Sequence, residues 1–363
     1  MGSLKVSFVV IALNAASTLD ALFDCLKKQT YPHHSIEVVL VDGNSQDSTK
    51  EKMLQFMNAE NSFDRVIVLD NPKRTLPCGW NVALESVEGD AVLRVDAHTT
   101  FPPEFIELNV RDLYKGENIC GGKVISIPAR KDIWSITLNE AENSMFGGSF
   151  AAFRHAESAQ YVSTAAFAIY RKEVFDKVGR YNEELTRTED NEMHYRMKRA
   201  GYKFYYDPKI VSYRETRATL SKLLKQKYLN GYWIGRTLGV EPRCFSLYHF
   251  VPFAFVCAIV FTTLLALCGI TWPAVMLWSA YGLANIAMTI MAVLGSKDRN
   301  VCFACLPVLF LLLHVWYGVG TKAGIGKMIM LKLASANGGG ITDRIIVVCV
   351  FTSRKPQAVR CAS

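Results

Sequence analysis

The sequence predicts an α/β domain built on a doubly wound, mostly parallel sheet and followed by α-helical transmembrane segments. Three observations carry this prediction. Strand-length runs of β-branched residues alternate with amphipathic helical runs over the first half of the chain. Polar residues recur just past the ends of those strands, at the edge where such sheets bind ligands. Residues 1–244 mix charge and hydrophobicity as a globular domain does, whereas 250–323 is almost wholly apolar.

The elements follow in order. V-S-F-V-V-I-A-L (6–13) is a strand suited to burial on both faces, and it breaks at Asn14. Ser17 is positioned to cap a helix whose Leu19, Leu22, Phe23 and Leu26 share one face, closed by Tyr31-Pro32. I-E-V-V-L-V (36–41) is a second strand and runs into D-G-N-S-Q-D-S-T (42–49), a loop of turn and capping residues. A helix over 49–60, a strand over 65–69, a helix over 79–87 and a strand over 90–95 complete the alternation. The last of these strands stops abruptly on Asp96 and His98, two potential metal ligands. Further on, 164–170 reads as a strand followed by a helix. Thr188 then caps a helix that carries Glu189 and Asp190 in its first turn and ends at Gly201. Acidic residues there complement the helix dipole, whatever else they do.

Several function classes fall away. The first strand is not followed by G-x-G-x-x-G, and no phosphate loop ending in G-K-[ST] occurs. A bound diphosphate therefore needs another counter-charge, and a divalent cation on Asp96 and His98 supplies one. The net charge of +8, from 41 Lys and Arg against 33 Asp and Glu, suits an anionic membrane leaflet. No basic run interleaved with aromatics and no zinc-finger spacing supports nucleic acid as a partner. Cys257, Cys268, Cys302 and Cys305 lie in the apolar part and read as small hydrophobes carrying reduced thiols. The apolar N-terminal run is short and passes straight into a patterned strand–helix unit, so it reads as the first strand rather than a signal peptide.

Five pieces recur in a telling order: V-V-I-A-L-N, V-L-V-D-G-N-S-Q-D-S-T, N-P-K-R-x-x-x-x-G-W-N, R-V-D-A-H and T-E-D-N-E-M-H-Y-R-M-K-R-A-G-Y-K. Together they resemble inverting family 2 glycosyltransferases of the GT-A fold, over most of residues 5–210. The N-P-x-R and D-A-H details, with the membrane tail, are most similar to the succinoglycan-type (ExoA-like) membrane-anchored enzymes. The resemblance implies a UDP-sugar donor and a polyprenyl-(pyro)phosphate-linked saccharide acceptor. It also implies an integral membrane protein of the bacterial inner-membrane type with its catalytic domain cytoplasmic. By position it implies that Ile11, Asn14 and Asp42 line the uridine pocket and that Arg74 reaches the diphosphate. Asp96 and His98 would hold Mn²⁺ or Mg²⁺ in the place of the family's D-x-D, and Asp190, in its E-D motif, would be the catalytic base. His98 departs from the family, which usually has a second aspartate. It either ligates the metal, where nitrogen suits Mn²⁺ better than Mg²⁺, or orients Asp96. A polyprenyl-phosphate sugar synthase and an inactive membrane scaffold are the alternatives. A sugar nucleotidyltransferase would need a glycine loop that is missing.

The chain divides accordingly: a catalytic domain over 1–215, an amphipathic interfacial region over 216–246, about three spans over 247–323 and a basic tail over 324–363. Glu189, with Gln226, Tyr232 and Trp233 of the basic, aromatic segment 220–236, is a candidate acceptor or interface contact. The topology carries a conflict. Three spans put the tail opposite the catalytic domain, yet across residues 322–363 Lys322, Lys327, Lys332, Arg344, Arg354, Lys355 and Arg360 stand against only Asp343, and so favour the cytoplasm. Either one apolar stretch is re-entrant or part of 324–351 crosses back.

Overall fold

A computed structural model describes residues 3–148 and 156–336. The tail residues Asp343, Arg344, Arg354, Lys355 and Arg360, and the apolar run 345–351, lie outside the described residues.

The first half alternates as expected: β1 (Val6–Ala12), α1 (Ala16–Lys27), β2 (Ile36–Asp42), α2 (Thr49–Ala59), β3 (Arg65–Asp70), α3 (Leu76–Ser86) and β4 (Ala91–Asp96). There follow β5 (Thr99–Thr100), α4 (Phe105–Tyr114), β6 (Ile119–Ile127), α5 (Ile133–Asn143), β7 (Gln160–Val162), β8 (Ile169–Arg171), α6 (Lys172–Val178), α7 (Glu189–Arg199) and β9 (Phe204–Glu215). One sheet runs β3-β2-β1-β4-β8-β6-β9-β5, with β7 also on β9. β1 to β4 are mutually parallel, whereas β8 enters antiparallel to both β4 and β6, so the sheet beyond β4 is mixed. The 164–170 strand of the sequence reading shrinks to β8, and β6 and β9 are additions. Their strand pattern is broken by Gly121-Gly122 and by Asp207-Pro208, which meet at a register shift between Gly122 and Lys123.

Helices cover both faces. Phe8, Val10, Leu40, Leu93 and Val95 pack toward α1 and α4. Val9, Val39, Val41 and Val92 pack with Trp80, Val174 and Met193 of α3, α6 and α7. Ser17 does not cap α1; the amides of Ala15 and Ala16 are satisfied instead by Thr49 Oγ1 at 2.8 Å and Asp47 Oδ2 at 3.2 Å. Thr188 occupies the N-cap of α7, but its hydroxyl bonds Thr237 Oγ1 at 2.6 Å and does not close the helix.

At the sheet edge away from these strand ends, a buried carboxylate ties β1, β2 and β3 together. Glu37 is fully buried and accepts from Ser7 Oγ at 2.5 Å, from the Glu88 amide at 2.9 Å and from Arg65. Burial pushes its pKa up, but those donors outweigh burial and hold it below the usual carboxylate range.

Beyond β9, α8 (Leu220–Thr237) leads to α9 (Val251–Leu267), α10 (Trp272–Gly295) and α11 (Leu306–Ala336). The segments Leu247–Leu267, Trp272–Gly295 and Val301–Ala334 are long and apolar enough to cross a membrane. α8 and α11 pack along most of the length of α8 through small residues. A Cβ on Gly231 would fall 2.0 Å from the Tyr317 carbonyl oxygen, and one on Gly324 2.0 Å from that of Tyr232. Both helices carry G-x-x-x-G at this contact, Gly231/Gly235 and Gly320/Gly324, the spacing that lets helix backbones approach closely.

Replacing Glu37 by Ala takes away the buried partner of Arg65 and of two further donors, Ser7 Oγ and the Glu88 amide. The expected loss is about 3–5 kcal/mol of stability, read by denaturant unfolding of the full chain in detergent. A loss under about 1 kcal/mol, the range of a surface ion pair, would show that this network does not hold the strands.

Candidate active site

The strand ends converge as the sequence predicts. β1 and β4 run in register so that Ile11 pairs with Asp96, and β1 and β2 so that Ala12 pairs with Asp42. Asp42 is buried, and its carboxylate accepts from the Ser45 amide at 3.1 Å. Asn14 bridges to the same loop: its side-chain oxygen accepts from the Gln46 amide at 2.8 Å, and its own backbone amide donates to Ser45 Oγ at 2.9 Å. Ile11 is held from above by α3: a Cβ on Gly79 would sit 2.5 Å from Ile11 Cγ2, so only glycine lets the helix come this close. Arg74 is exposed in the loop after β3.

Among the described residues, four non-glycine residues take positive φ: Asn14, Asn44, Arg74 and Phe167. The first three follow β1, β2 and β3 directly or within a few residues, and Phe167 lines the cavity described next. Asparagine tolerates this conformation, but arginine and phenylalanine do so at a cost, and such strain concentrates at working sites.

A cavity of about 220 Å³ lies against β4, lined by Arg94, Asp96, Val124, Ala165, Ala166, Phe167, Asp190 and Arg214. It brings Asp96 from the end of β4 together with Asp190 from the start of α7. Arg94, on the same face of β4 as Asp96, lies over the Trp80 ring at 4.8 Å and the Tyr181 ring at 5.9 Å. Its guanidinium pairs with the buried Glu189 carboxylate at 3.2 Å. Burial raises the pKa of Glu189, and the neighbouring Asp190 charge adds to this, against the pull of Arg94. Asp190 accepts from the Asn191 amide at 2.8 Å. Burial raises its pKa too, with Asp96 adding and Arg94 opposing.

His98 is half-buried past the end of β4 and is absent from the cavity lining. Burial pushes its pKa down; the charge of Asp96 opposes, while Arg217 and Arg214 assist. Its imidazole is therefore neutral at pH 7 and keeps a lone pair for a cation. No group of three or more His, Cys, Asp or Glu side chains among the described residues forms a metal cluster by itself. The Asp96 carboxylate faces the cavity and accepts no hydrogen bond from a described residue. With the neutral His98 beside it, this oxygen–nitrogen donor set fits a divalent cation that takes its remaining ligands from a diphosphate.

Of the α8 candidates, Gln226 sits between the two parts of the chain. It accepts from Arg217 Nε at 2.8 Å and donates to Glu142 Oε1 at 3.2 Å, and Glu142 also receives Arg214 of the cavity at 3.0 Å. Tyr232 stacks near Tyr228 and meets Trp233 edge-on, and Tyr232 and Trp233 are half-buried on α8, between the α/β domain and α11.

Three groups at the site carry no signature of their role in the sequence. Arg94 stood inside the quoted R-V-D-A-H, but nothing local showed that its side chain turns inward. The G-W-N of α3 is a structural bracket: Trp80 underlies Arg94, and Asn81 exchanges two bonds with the Tyr181 backbone at 2.8 and 3.0 Å. Arg187, Arg214 and Arg217 form a basic flank between the cavity and α8, in which Arg217 lowers the Arg187 pKa after burial does. Arg187 directly precedes the T-E-D block, whereas Arg214 and Arg217 lie beyond it, so only the fold groups the three.

Replacing Arg94 by Met leaves Glu189 buried without its cation, at an expected cost of about 3–5 kcal/mol. Glu189 binds its proton more tightly folded than unfolded, so the folded state is favoured below its raised pKa and loses stability as pH climbs through it. The drop in Tm should thus be larger in alkaline than in mildly acidic buffer. A drop independent of pH would contradict the pairing.

The sequence profile of Glycosyl transferase family 2 matches residues 7–179. The chain is 29% identical to the succinoglycan biosynthesis protein ExoA of Rhizobium meliloti (strain 1021), over 86% of this chain and 92% of that protein. It is 22% identical to a dolichyl N-acetyl-alpha-D-glucosaminyl phosphate 3-beta-D-2,3-diacetamido-2,3-dideoxy-beta-D-glucuronosyltransferase of Methanococcus voltae, over 89% of this chain and 97% of that enzyme. Among solved structures it superposes on a mannosyltransferase of Pyrobaculum calidifontis in complex with GDP-Man and Mn²⁺. That match has a TM-score of 0.59 at 15% identity and covers 88% and 87% of the two chains, a likeness of fold. Residues 7–179 of the chain therefore carry a Glycosyl transferase family 2 domain, on a sheet of the GT-A fold.

Proposed function

We propose that the chain is a membrane-anchored inverting transferase that moves a sugar from UDP to a polyprenyl-(pyro)phosphate-linked saccharide in surface polysaccharide or glycan assembly. The observation that supports this best is the cavity in which Asp96 and Asp190 face one space. In this reading Asp42, Asn14 and Ile11 form the uridine pocket, and Arg74 reaches over the diphosphate. Asp96, with His98, would hold Mn²⁺ or Mg²⁺, which would supply positive charge to the leaving diphosphate. Asp190 takes the proton from the acceptor hydroxyl as its oxygen attacks the anomeric carbon and the UDP oxygen leaves. A raised pKa makes its carboxylate a better base at neutral pH. One displacement with one base inverts the anomeric centre. The Arg187, Arg214 and Arg217 flank supplies a counter-charge for the acceptor's phosphate on the side toward α8. The lipid-linked acceptor is supported by the apolar C-terminal helices and by the names of the relatives, of which one is a succinoglycan biosynthesis protein and one a dolichyl-phosphate saccharide transferase.

Asp190→Asn should lower transfer by about 10²–10⁴-fold while leaving UDP binding, read by thermal shift with Mn²⁺, unchanged. Wild-type activity should fall off on the acid side at a pH above the range of an ordinary aspartate. Full activity in the Asn variant would remove Asp190 from the base role. Asp96→Asn should abolish the Mn²⁺-dependent part of the UDP thermal shift, and an unchanged shift would remove Asp96 as a ligand. Product analysis with bare lipid phosphate against lipid-linked sugar identifies the acceptor.

A further inference from the structure

The three apolar C-terminal helices do not stand alike against the catalytic domain. α8 is fastened to that domain along its length: Gln226 to Glu142, Lys227 Nζ to the Gly147 carbonyl at 2.8 Å, Asn230 to Arg187 at 3.1 Å, and Thr237 to Thr188. α11 runs beside α8 in the same direction. Tyr228 meets Gly320, Gly231 meets Tyr317, Tyr232 meets Gly324, and Gly239 meets Met328. At its N-terminal end, Leu306, Leu309, Phe310 and Leu313 of α11 share a cluster with Leu138 and Ala141 of α5. The catalytic domain, α8 and α11 are therefore successive layers, and α11 lies along the domain surface.

We propose that α11 does not cross the bilayer. It lies flat in the lipid headgroup layer beneath α8, and only α9 and α10 cross, as a hairpin that returns the chain to the catalytic face. If α11 crossed, α8 would have to enter the hydrocarbon beside it with Lys222, Lys225, Lys227 and Arg236, four cations that a spanning helix does not tolerate. The helical period puts Val308, Val319, Ile329, Met330 and Leu333 on the side of α11 opposite the glycines that meet α8, and all five are exposed. Lys322, exposed on that side as well, supplies the charge that an anionic lipid surface attracts. Both ends of the hairpin lie on the catalytic side. A Cβ on Gly318 of α11 would fall 2.3 Å from the Pro252 carbonyl oxygen at the start of α9. Ala292, near the end of α10, joins the cluster that contains α5. This arrangement puts Lys322, Lys327 and Lys332 on the same side as the catalytic domain, which removes the conflict between three spans and a basic tail.

The inference rests on the membrane anchoring proposed above but not on the sugar chemistry. It is tested on the full wild-type chain produced in a bacterial host, with reagents that do not cross membranes and peptide mass spectrometry. A lysine-directed reagent should modify Lys322 and Lys332 in inside-out vesicles together with Lys222 of α8, and none of the three in spheroplasts. A maleimide should modify Cys268, exposed at the turn between α9 and α10, in spheroplasts. Modification of Lys332 in spheroplasts while Lys222 stays silent would overturn the proposal, as would a Cys268 reached only from the vesicle side. Release of the chain by alkaline carbonate would instead overturn the membrane anchoring on which it rests.

Discussion

The ion pair between Arg94 and Glu189 is the constraint on which the site depends. Arg94 stands two residues before Asp96 on β4, and Glu189 directly precedes Asp190 on α7, so one buried 3.2 Å contact fixes the strand end against the helix start. The pair is expensive to bury, and the sequence surrounds it accordingly. Trp80 and Tyr181 give the guanidinium aromatic faces, and Asn81 locks Tyr181 in place. Gly79 lets α3 close over Ile11, which carries Trp80 into position. Much of the motif spacing in this chain thus serves to hold two carboxylates in one cavity.

The parallel half of the fold was legible because its strands are continuous apolar runs and its helices are cleanly amphipathic. β6 and β9 were not, since Gly121-Gly122 and Asp207-Pro208 interrupt the pattern where a bulge is built. At the start of α7 the sequence places the N-cap at Thr188 correctly but does not show where its hydroxyl bonds. A threonine before two acidic residues is a good cap in isolation, but a neighbour brought by the fold, Thr237, takes its hydroxyl. Asp42, Asp96 and Asp190 were legible from motif order, and the structure brings the last two together. Arg94, Arg187, Arg214 and Arg217 were not, because an arginine in a sequence carries no sign of which way its side chain turns.

The cavity and the apolar C-terminal helices are joined by one chain of polar contacts. Arg214 lines the cavity and bonds Glu142, Glu142 bonds Gln226, and Gln226 lies on the helix whose glycines seat α11. A lipid-borne acceptor reaching the proposed base would pass this route, with the arginine flank beside it. The same layering explains how a segment as apolar as 301–334 lies against the α/β domain. Its buried side packs on α5 and α8, and its outer side stays exposed.

The central claim is that Asp96 and Asp190 serve one reaction space. A structure of the full chain with a UDP-sugar and Mn²⁺ tests it most directly. The account predicts the cation on Asp96 between the diphosphate and β4, the uracil beside Asp42, and the Asp190 carboxylate facing the anomeric carbon from the acceptor side. A cation without contact to Asp96, or a sugar whose anomeric carbon lies out of reach of Asp190, would contradict it.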